Sequence, residues 1–356
     1  MNATTSTRFG FLDALRGFAI AGILLVNIPD MTRLGVDAPP APVGDYSTTQ
    51  QLLHFLVSTR FVPIFMLLFG VSLVLVRDGA RRRGVKAWPV LVRRLIALFG
   101  FGLLHSFVYP GEVLREYAAV GLLVLPVVLL APGWLLLGLG AVGTIGAYAV
   151  TGGGILTIPG VLLLGAGAAT VGVPARLERA DRWVAIAAAT LAVIAIPALA
   201  WQRANPGDPR FSNAGGIAGG VLALLYIALL SLAWRTPLRA LLRAAFDPLG
   251  RMAFTNYVTA SCLAVPAGLL LGFAQTRDLA PALWLALGIL VLQNLGSRLW
   301  LHWFAYGPLE WLWRCLTWWR IVPLRRSTQE PADPADSAYR SASPRRYASP
   351  AGSAGS

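Results

Sequence analysis

Ten apolar stretches, each long enough to cross a hydrocarbon core, decide what this chain of 356 residues can fold into. They fall at 14–29, 61–76, 95–109, 117–131, 134–150, 155–173, 183–201, 214–234, 252–273 and 279–295. A bilayer asks for about 20 apolar residues per helical crossing, and Pro, Gly or charge clusters punctuate these runs. Only 13% of the chain is charged and the mean hydropathy is +0.64, too little charge to clothe a water-facing surface. The sequence therefore predicts an all-α, polytopic membrane bundle of about ten transmembrane helices. The first run has no small-residue cleavage site after it, so it reads as a retained span and not as a signal peptide.

A formal charge of +14 would suggest nucleic acid in a soluble chain, but here the arginines sit in short loops between apolar runs. With the N-terminus in the cytoplasm, 24 basic residues fall inside and 6 outside, while the acids split nine to seven. Orientation that follows Lys and Arg alone predicts N-in, C-in, an integral protein of the cell's inner (plasma) membrane whose partner is the lipid bilayer and not nucleic acid. Cys262 and Cys315 are far apart in apolar or aromatic surroundings, so no metal-ligand or disulfide spacing is present. No GxGxxG, Walker, HExxH or GxSxG pattern occurs in a plausible context. Residues 1–7 read as a short tail, 8–326 as one transmembrane domain, and the Ser-, Ala-, Pro- and Arg-rich 327–356 as a disordered cytoplasmic tail. Between them, 299–319 holds six of the twelve tryptophans with Glu310 and Arg314. A span would bury those charges in lipid, so this segment is expected to be an amphipathic belt at the inner surface with its charges wet.

Counting along the helices places the candidate chemistry. Arg16 and Asn27 in LDALRGFAIAGILLVN lie about 16 Å apart along an axis and about 20° apart around it. His105 follows Arg94 by the same interval, so Asn27 and His105 share a depth near the outer rim. An ionisable group at that depth is a functional candidate by default, set against a packing histidine bonded to a backbone carbonyl. Glu112, in the outer loop, is placed to orient His105 and stabilise its imidazolium, set against an exposed loop carboxylate. His54 and Arg60 stand before the second run as candidate substrate-binding residues, although a snorkelling helix-end arginine is the plainer account of Arg60. On the inner side Arg16, Arg251, Arg298 and Arg314 are candidates to gather round one anion, since Arg pairs bidentately with phosphate. Plain positive-inside topology accounts for any single one of them. Asn256, one and a half turns from Arg251, joins the cofactor-binding candidates, with helix–helix bonding as its ordinary role.

Four blocks, LDALRGFAIAGILLVNI, RRLIALFGFGLLHSFVYPGEVLREYA, GRMAFTNY and YGPLEWLWRCLTW, together resemble the YeiB-like membrane family, catalogued as a domain of unknown function. That family looks like a branch of the transmembrane acyltransferase superfamily that includes heparan-alpha-glucosaminide N-acetyltransferase and bacterial glycan acyltransferases. The resemblance implies transfer of an acyl group from cytoplasmic acyl-coenzyme A, most simply acetyl-coenzyme A, to an extracytoplasmic hydroxyl or amine on a glycan, lipid or small molecule. In the glycan-modifying branch an Arg, ten residues and a His mark the first core helix. Arg16 matches the Arg and Asn27 stands where the His would be, which leaves His105 as the candidate base by elimination. Where the family's block commonly has Asp, Glu112 keeps the carboxylate.

On this reading the nucleotide end of the donor stays at the inner arginines. His105 takes the acceptor proton, with Asn27 or Arg60 donating to the oxyanion; direct transfer and a covalent acyl-His both remain open. A homodimer is compatible with it. The competing reading is a permease or exporter for a small anionic solute, with the same groups forming a midplane site. Such carriers show inverted repeats and broken helices; no repeat is seen, though Pro126, Pro197 and Pro266 interrupt apolar runs.

Overall fold

The computed structural model of the chain describes residues 9–39 and 46–325. The expected tails at 1–7 and 327–356 lie outside these residues. Each of the ten apolar runs carries a helix: α1 (Gly10–Met31), α3 (Phe61–Arg82), α4 (Ala87–His105), α5 (Leu114–Leu130), α6 (Gly133–Thr151), α7 (Thr157–Thr170), α9 (Arg182–Ala204), α10 (Asn213–Ala233), α12 (Ala253–Leu270) and α13 (Leu279–Trp303). Four shorter helices join them, α2 (Thr48–Leu56), α8 (Val173–Arg179), α11 (Leu238–Arg251) and α14 (Pro308–Trp318). Among the described residues, eight helical segments are long and apolar enough to cross a membrane unaided, and α7 with α8, bent by 72°, makes a ninth if the pair is one span. The remaining run, α5, is as apolar but only 17 residues long. This is an all-α, multi-pass membrane protein.

The pattern of burial fits a lipid solvent. Val142 and Ile145 of α6, Val193 and Ile196 of α9, and Trp284 and Leu295 of α13 are exposed, which a helix tolerates when hydrocarbon surrounds it and its backbone bonds are internal. By contrast α1 is buried along most of its length. It crosses α11 where two glycines meet, because a Cβ on Gly17 would lie 2.0 Å from the Phe246 carbonyl oxygen and one on Gly250 1.8 Å from that of Asp13. The first and third of the sequence blocks are thus joined backbone to backbone.

Three helix N-termini that lack a side-chain cap from the N-cap residue are closed by a glutamate, two of them from distant segments and one from the residue before the N-cap. Glu178 accepts from the Phe11 N–H of α1 at 2.8 Å. Glu112 accepts from the Leu114 N–H of α5 at 2.7 Å. Glu310 accepts from the Phe254 and Thr255 N–H groups of α12 at 2.7 and 3.0 Å and from the Thr255 hydroxyl at 2.6 Å. A carboxylate at the positive end of a helix satisfies orphan donors and the macrodipole together.

Glu310 corrects the expectation of a wet belt. The segment 299–319 divides: 299–303 finishes α13, and α14 is an amphipathic helix of 11 residues that packs on α4 and α12. Its glutamate turns into the protein, where burial raises the carboxyl above the ordinary carboxylate range against the hydrogen bonds from Thr255 and Phe254. A helix cap in another segment is invisible to a reading that treats the belt by itself.

Candidate active site

Helices α1, α4 and α12 begin, and α3 ends, around one cavity of about 1090 Å³. Along α3 it is lined by Phe65, Phe69, Ser72, Gly79, Arg82 and Arg83, positions three, four or seven apart that share one helical face. From Phe65 to Arg82 this face extends about 25 Å, most of the roughly 30 Å depth of a hydrocarbon core. At one end stand six arginines, Arg16, Arg82, Arg83, Arg94, Arg251 and Arg314, against two carboxylates, Asp13 and Glu310. Arg16 donates to Asp13 at 3.0 Å. Arg94 lies 3.5 Å from the Trp313 ring centroid, Arg83 4.6 Å from that of Trp318 and Arg314 4.4 Å from that of Tyr306. Planar guanidinium stacked on indole keeps its charge and its edge donors available.

At the deep end the wall changes character. Leu114 and Tyr117 of α5 and Tyr257 of α12 close it; the Tyr117 hydroxyl is buried without a hydrogen-bond partner, and the buried Tyr257 oxygen faces the Val113 backbone N–H, with no acceptor for its own O–H among the described residues. A buried polar group left without a partner is costly, and a reaction site is one of the places where it persists. One helical turn beyond Tyr257 on the same face of α12 stands Ser261, whose hydroxyl lies 2.5 Å from His105 Nε2. His105 is 4% exposed and Ser261 0%. The Ser261 hydroxyl donates back to the Val258 carbonyl at 2.8 Å, which assigns the imidazole proton to Nε2, donated to Ser261. Nδ1 is then the basic nitrogen, and it is buried without a partner. The His105 ring sits between two tyrosines, Tyr257 at 5.4 Å and Tyr109 at 6.5 Å between centroids.

The other sequence candidates fall in different places. Glu112 does not bond to His105. It is 3% exposed and is held by Arg115, whose Nε lies 2.6 Å away, and by the α5 N-terminus, so Ser261 takes the partner role expected of it. Asn27 makes no hydrogen bond with His105 among the described residues. Arg60 does not snorkel. It is 0% exposed and donates to the Ser58 carbonyl, to Thr59 Oγ1 at 2.7 Å and to Gln202 Oε1 at 2.6 Å. It thereby ties down the turn where Thr59 has φ +68°, a conformation costly for a β-branched residue. Its Nε is buried without a partner, and Arg60 lines neither the cavity nor the pocket that holds His54. His54 lines a second, smaller pocket at the opposite end of the bundle. Of the anion candidates, Arg16, Arg251 and Arg314 meet in the large cavity, whereas Arg298 does not, being exposed and bonded to Asn294 at 2.8 Å and to the Ala244 carbonyl. Asn256 donates to Ser297 Oγ at 3.0 Å and to the Leu249 carbonyl at 3.2 Å, the helix–helix role. Sequence reading missed Arg82, Arg83, Tyr117, Tyr257 and Ser261. Ser72 and Gly79 in register with Arg82 on an otherwise apolar face of α3 were the available signal.

A multi-pass α-helical membrane protein with an arginine-ended, tyrosine-closed cavity is the class that fold and site define. Over 342 aligned residues the chain is 32% identical to an uncharacterized 39.9 kDa protein in the amylase 3′ region of Bacillus acidopullulyticus, across 89% of this chain and 96% of that one. It is 27% identical to the uncharacterized protein YxaH of Bacillus subtilis, covering 91% and 98% of the two chains. With the uncharacterized protein YeiB of Escherichia coli the identity is 26%, covering 86% and 95%. Residues 172–320 match the family described as protein of unknown function (DUF418). The chain belongs to this YeiB-like DUF418 family. No solved structure matches it.

Proposed function

We propose that this protein is a membrane-embedded acyltransferase, moving an acyl group from acyl-coenzyme A at the arginine-rich end to a hydroxyl or amine acceptor at the opposite end. The reading places the arginine-rich end and both termini in the cytoplasm and the acceptor outside the inner membrane. The observation that carries it is the cavity: one space with six arginines at one end, a largely apolar wall that follows α3 for about 25 Å, and the buried hydroxyls of Tyr117 and Tyr257 with no acceptor for their protons. Its volume of about 1090 Å³ lies at the upper limit of ordinary small-molecule sites, as a long nucleotide-bearing donor requires. The three prolines that left a permease open, Pro126, Pro197 and Pro266, lie inside continuous helices, and the broken pair of α7 and α8 contributes no residue to the cavity, unlike the discontinuous helices that form carrier sites.

Acyl-coenzyme A supplies an activated thioester. Arg16, Arg82, Arg83, Arg251 and Arg314 bind phosphate; Tyr117 and Tyr257 donate to the carbonyl oxygen as it gains negative charge. His105 Nδ1 accepts the proton of the attacking hydroxyl or amine, with its tautomer held by Ser261. The new bond to the acyl carbon forms as the carbon–sulfur bond breaks, and the proton on Nδ1 passes to the departing sulfur.

The direct test incubates purified protein with acetyl-coenzyme A and longer acyl-coenzyme A species and follows thermal stabilisation and free-thiol release. Stabilisation with thiol release supports transfer, and no response to any donor sinks the reading. Two further outcomes are expected. Arg16→Gln combined with Arg83→Gln should weaken donor affinity about tenfold with little change in bound-state turnover, because a remote phosphate contact acts on affinity. That loss should shrink in 0.5 M salt, and equal affinity in the folded double variant returns both arginines to topology alone. In a protein freed of Cys262 and Cys315, a cysteine at Arg239 should be labelled only from the cytoplasm and one at exposed Phe211 only from outside. The reverse pattern overturns the orientation and the mechanism together.

A further inference from the structure

At the opposite end from the arginines, the end of α1, α2, the loop before α10 and the start of α13 enclose a pocket of about 250 Å³. Three of its four charged groups are already paired with one another. Arg210 donates to Asp30 at 2.6 Å and makes further bonds with Asp208 at 2.8–3.2 Å, while Arg277 donates to the Pro39 and Ala38 carbonyls at 2.8 and 3.5 Å. Two carboxylates face two guanidinium groups, so the lining is neutral in sum. Burial pushes the Asp208 carboxyl up, but hydrogen bonds from Arg210 and its charge outweigh burial and hold it below the ordinary value, which keeps the pairing ionised. An ion that binds at Asp30, Asp208 or Arg210 would have to displace one of these partners and leave the other uncompensated, an expensive exchange in a half-enclosed site, whereas Arg277 is exposed at the rim.

The groups left for a ligand are uncharged or weakly basic. His54 and Tyr46 form an edge-to-face pair 4.8 Å apart, and both line the pocket. Among the described residues the His54 ring nitrogens make no hydrogen bond, and Ser58, 3% exposed, contributes to the same wall. An imidazole offers one donor and one acceptor, and a hydroxyl offers both. An aromatic face beside them receives polarised C–H groups on the negative side of its quadrupole. Donor–acceptor pairs next to an aromatic face, with the charges neutralised, match a compact ring or chain that carries hydroxyls and no net charge. The volume falls slightly below the range of drug-sized sites, which limits the ligand to about one ring.

We propose that this pocket binds an uncharged, hydroxyl-bearing group of the size of one sugar ring, presented as a free polyol or as the headgroup of a lipid. Naming it the acyl acceptor rests on the proposed transfer; its binding does not. The pocket lies close to the candidate base: Tyr109, which contacts His105, packs in one apolar cluster with Leu53 and Leu279, and both of these line the pocket.

The test uses full-length protein in phosphatidylcholine nanodiscs, titrated calorimetrically with glucose, cationic glucosamine and anionic glucuronate. Glucose should bind saturably, and the two charged analogues at least tenfold more weakly. His54→Gln and Tyr46→Leu should each weaken glucose at least fivefold while acetyl-coenzyme A binding at the other end is unchanged. Nanodiscs containing monoglucosyl diacylglycerol separate the sources: loss of the glucose signal there, restored by His54→Gln to the level of the variant without glycolipid, identifies a lipid headgroup, and an undiminished signal identifies a free polyol. Equal binding of the charged analogues, no binding of glucose by the wild type with or without glycolipid, or glucose binding indifferent to both substitutions overturns the proposal. The selectivity arm needs no variant, so a poorly folding substitution does not blunt it. Glucose binding without thiol release would sink acyl transfer alone; thiol release without glucose binding would sink this assignment alone.

Discussion

His105→Ala is expected to cut acyl transfer by about 10²–10⁴-fold, the usual contribution of a positioned general base, with donor affinity unchanged. The separation of the two effects follows from position. His105 stands behind Tyr257, 11 residues or about 16 Å along α4 from Arg94, and Arg82 and Arg83 are farther off at the opposite end of the α3 wall. The same geometry makes Ser261→Ala diagnostic. Removing the hydroxyl leaves Nε2–H without its acceptor and releases the ring to either tautomer, a loss of one hydrogen bond of about 0.5–1.5 kcal/mol. Turnover should then fall by up to about tenfold with the donor KM constant, and Ser261→Thr should restore part of it. A residue that merely packs would show none of this division between turnover and KM. If His105→Ala protein accumulates normally and transfers acyl groups at the normal rate, the histidine packs helices and the base lies elsewhere, with His54 the next to test.

How far the sequence carried this reading varied with the physics involved. The spans were legible because hydrocarbon thickness sets a length that apolar runs must meet, and each of the ten runs carries a helix. The place of His105 at the end of α4, 11 residues past Arg94, follows from the constant rise of a helix. What failed was partner choice. Glu112 is seven residues from His105 in sequence and looked like its carboxylate, yet the i,i+3 arginine at position 115 and the bare N-terminus of α5 claim both of its oxygens. Ser261 lies 156 residues away from His105, and nothing local announces such a contact. The arginines at 235–251 hide a further element. The structure makes Leu238–Arg251 a helix, whose Leu242, Phe246 and Leu249 turn one apolar face inward while its arginines cover the other. Arg298 shows the reverse error: it belongs to the basic surface that topology predicts, and a bond to the Ala244 carbonyl keeps it out of the cavity. Yet the four blocks behind the family resemblance converge. Asp13 and Arg16 come from the first, Arg94 and Tyr117 from the second, Gly250 and Tyr257 from the third, and Glu310 and Trp313 from the fourth, and all line the same cavity.

That convergence hangs on the crossing of α1 and α11, where Gly250→Ala is expected to have a large effect on stability. The added Cβ would lie 1.8 Å from the Asp13 carbonyl oxygen and 2.7 Å from the Gly17 nitrogen. Both are backbone atoms of a buried helix, so no side chain can rotate to make room. Overpacking a core usually costs about 1–3 kcal/mol, and with only backbone available to yield the cost should reach about 3 kcal/mol or more. The crossing must open, and it carries Asp13 and Arg16 on one helix and Arg251 on the other, so donor affinity should fall along with thermal stability. Gly138→Ala is the matched control. It lies inside α6 with nothing within 4 Å of its added Cβ, and should be neutral or stabilise by up to about 1 kcal/mol through helix propensity. Thermal unfolding and donor titration of the two purified variants in the same detergent decide the matter. Equal melting temperatures for Gly250→Ala and Gly138→Ala would mean that α1 and α11 are not in backbone contact, and the cavity mouth would then need a different assembly from the one described.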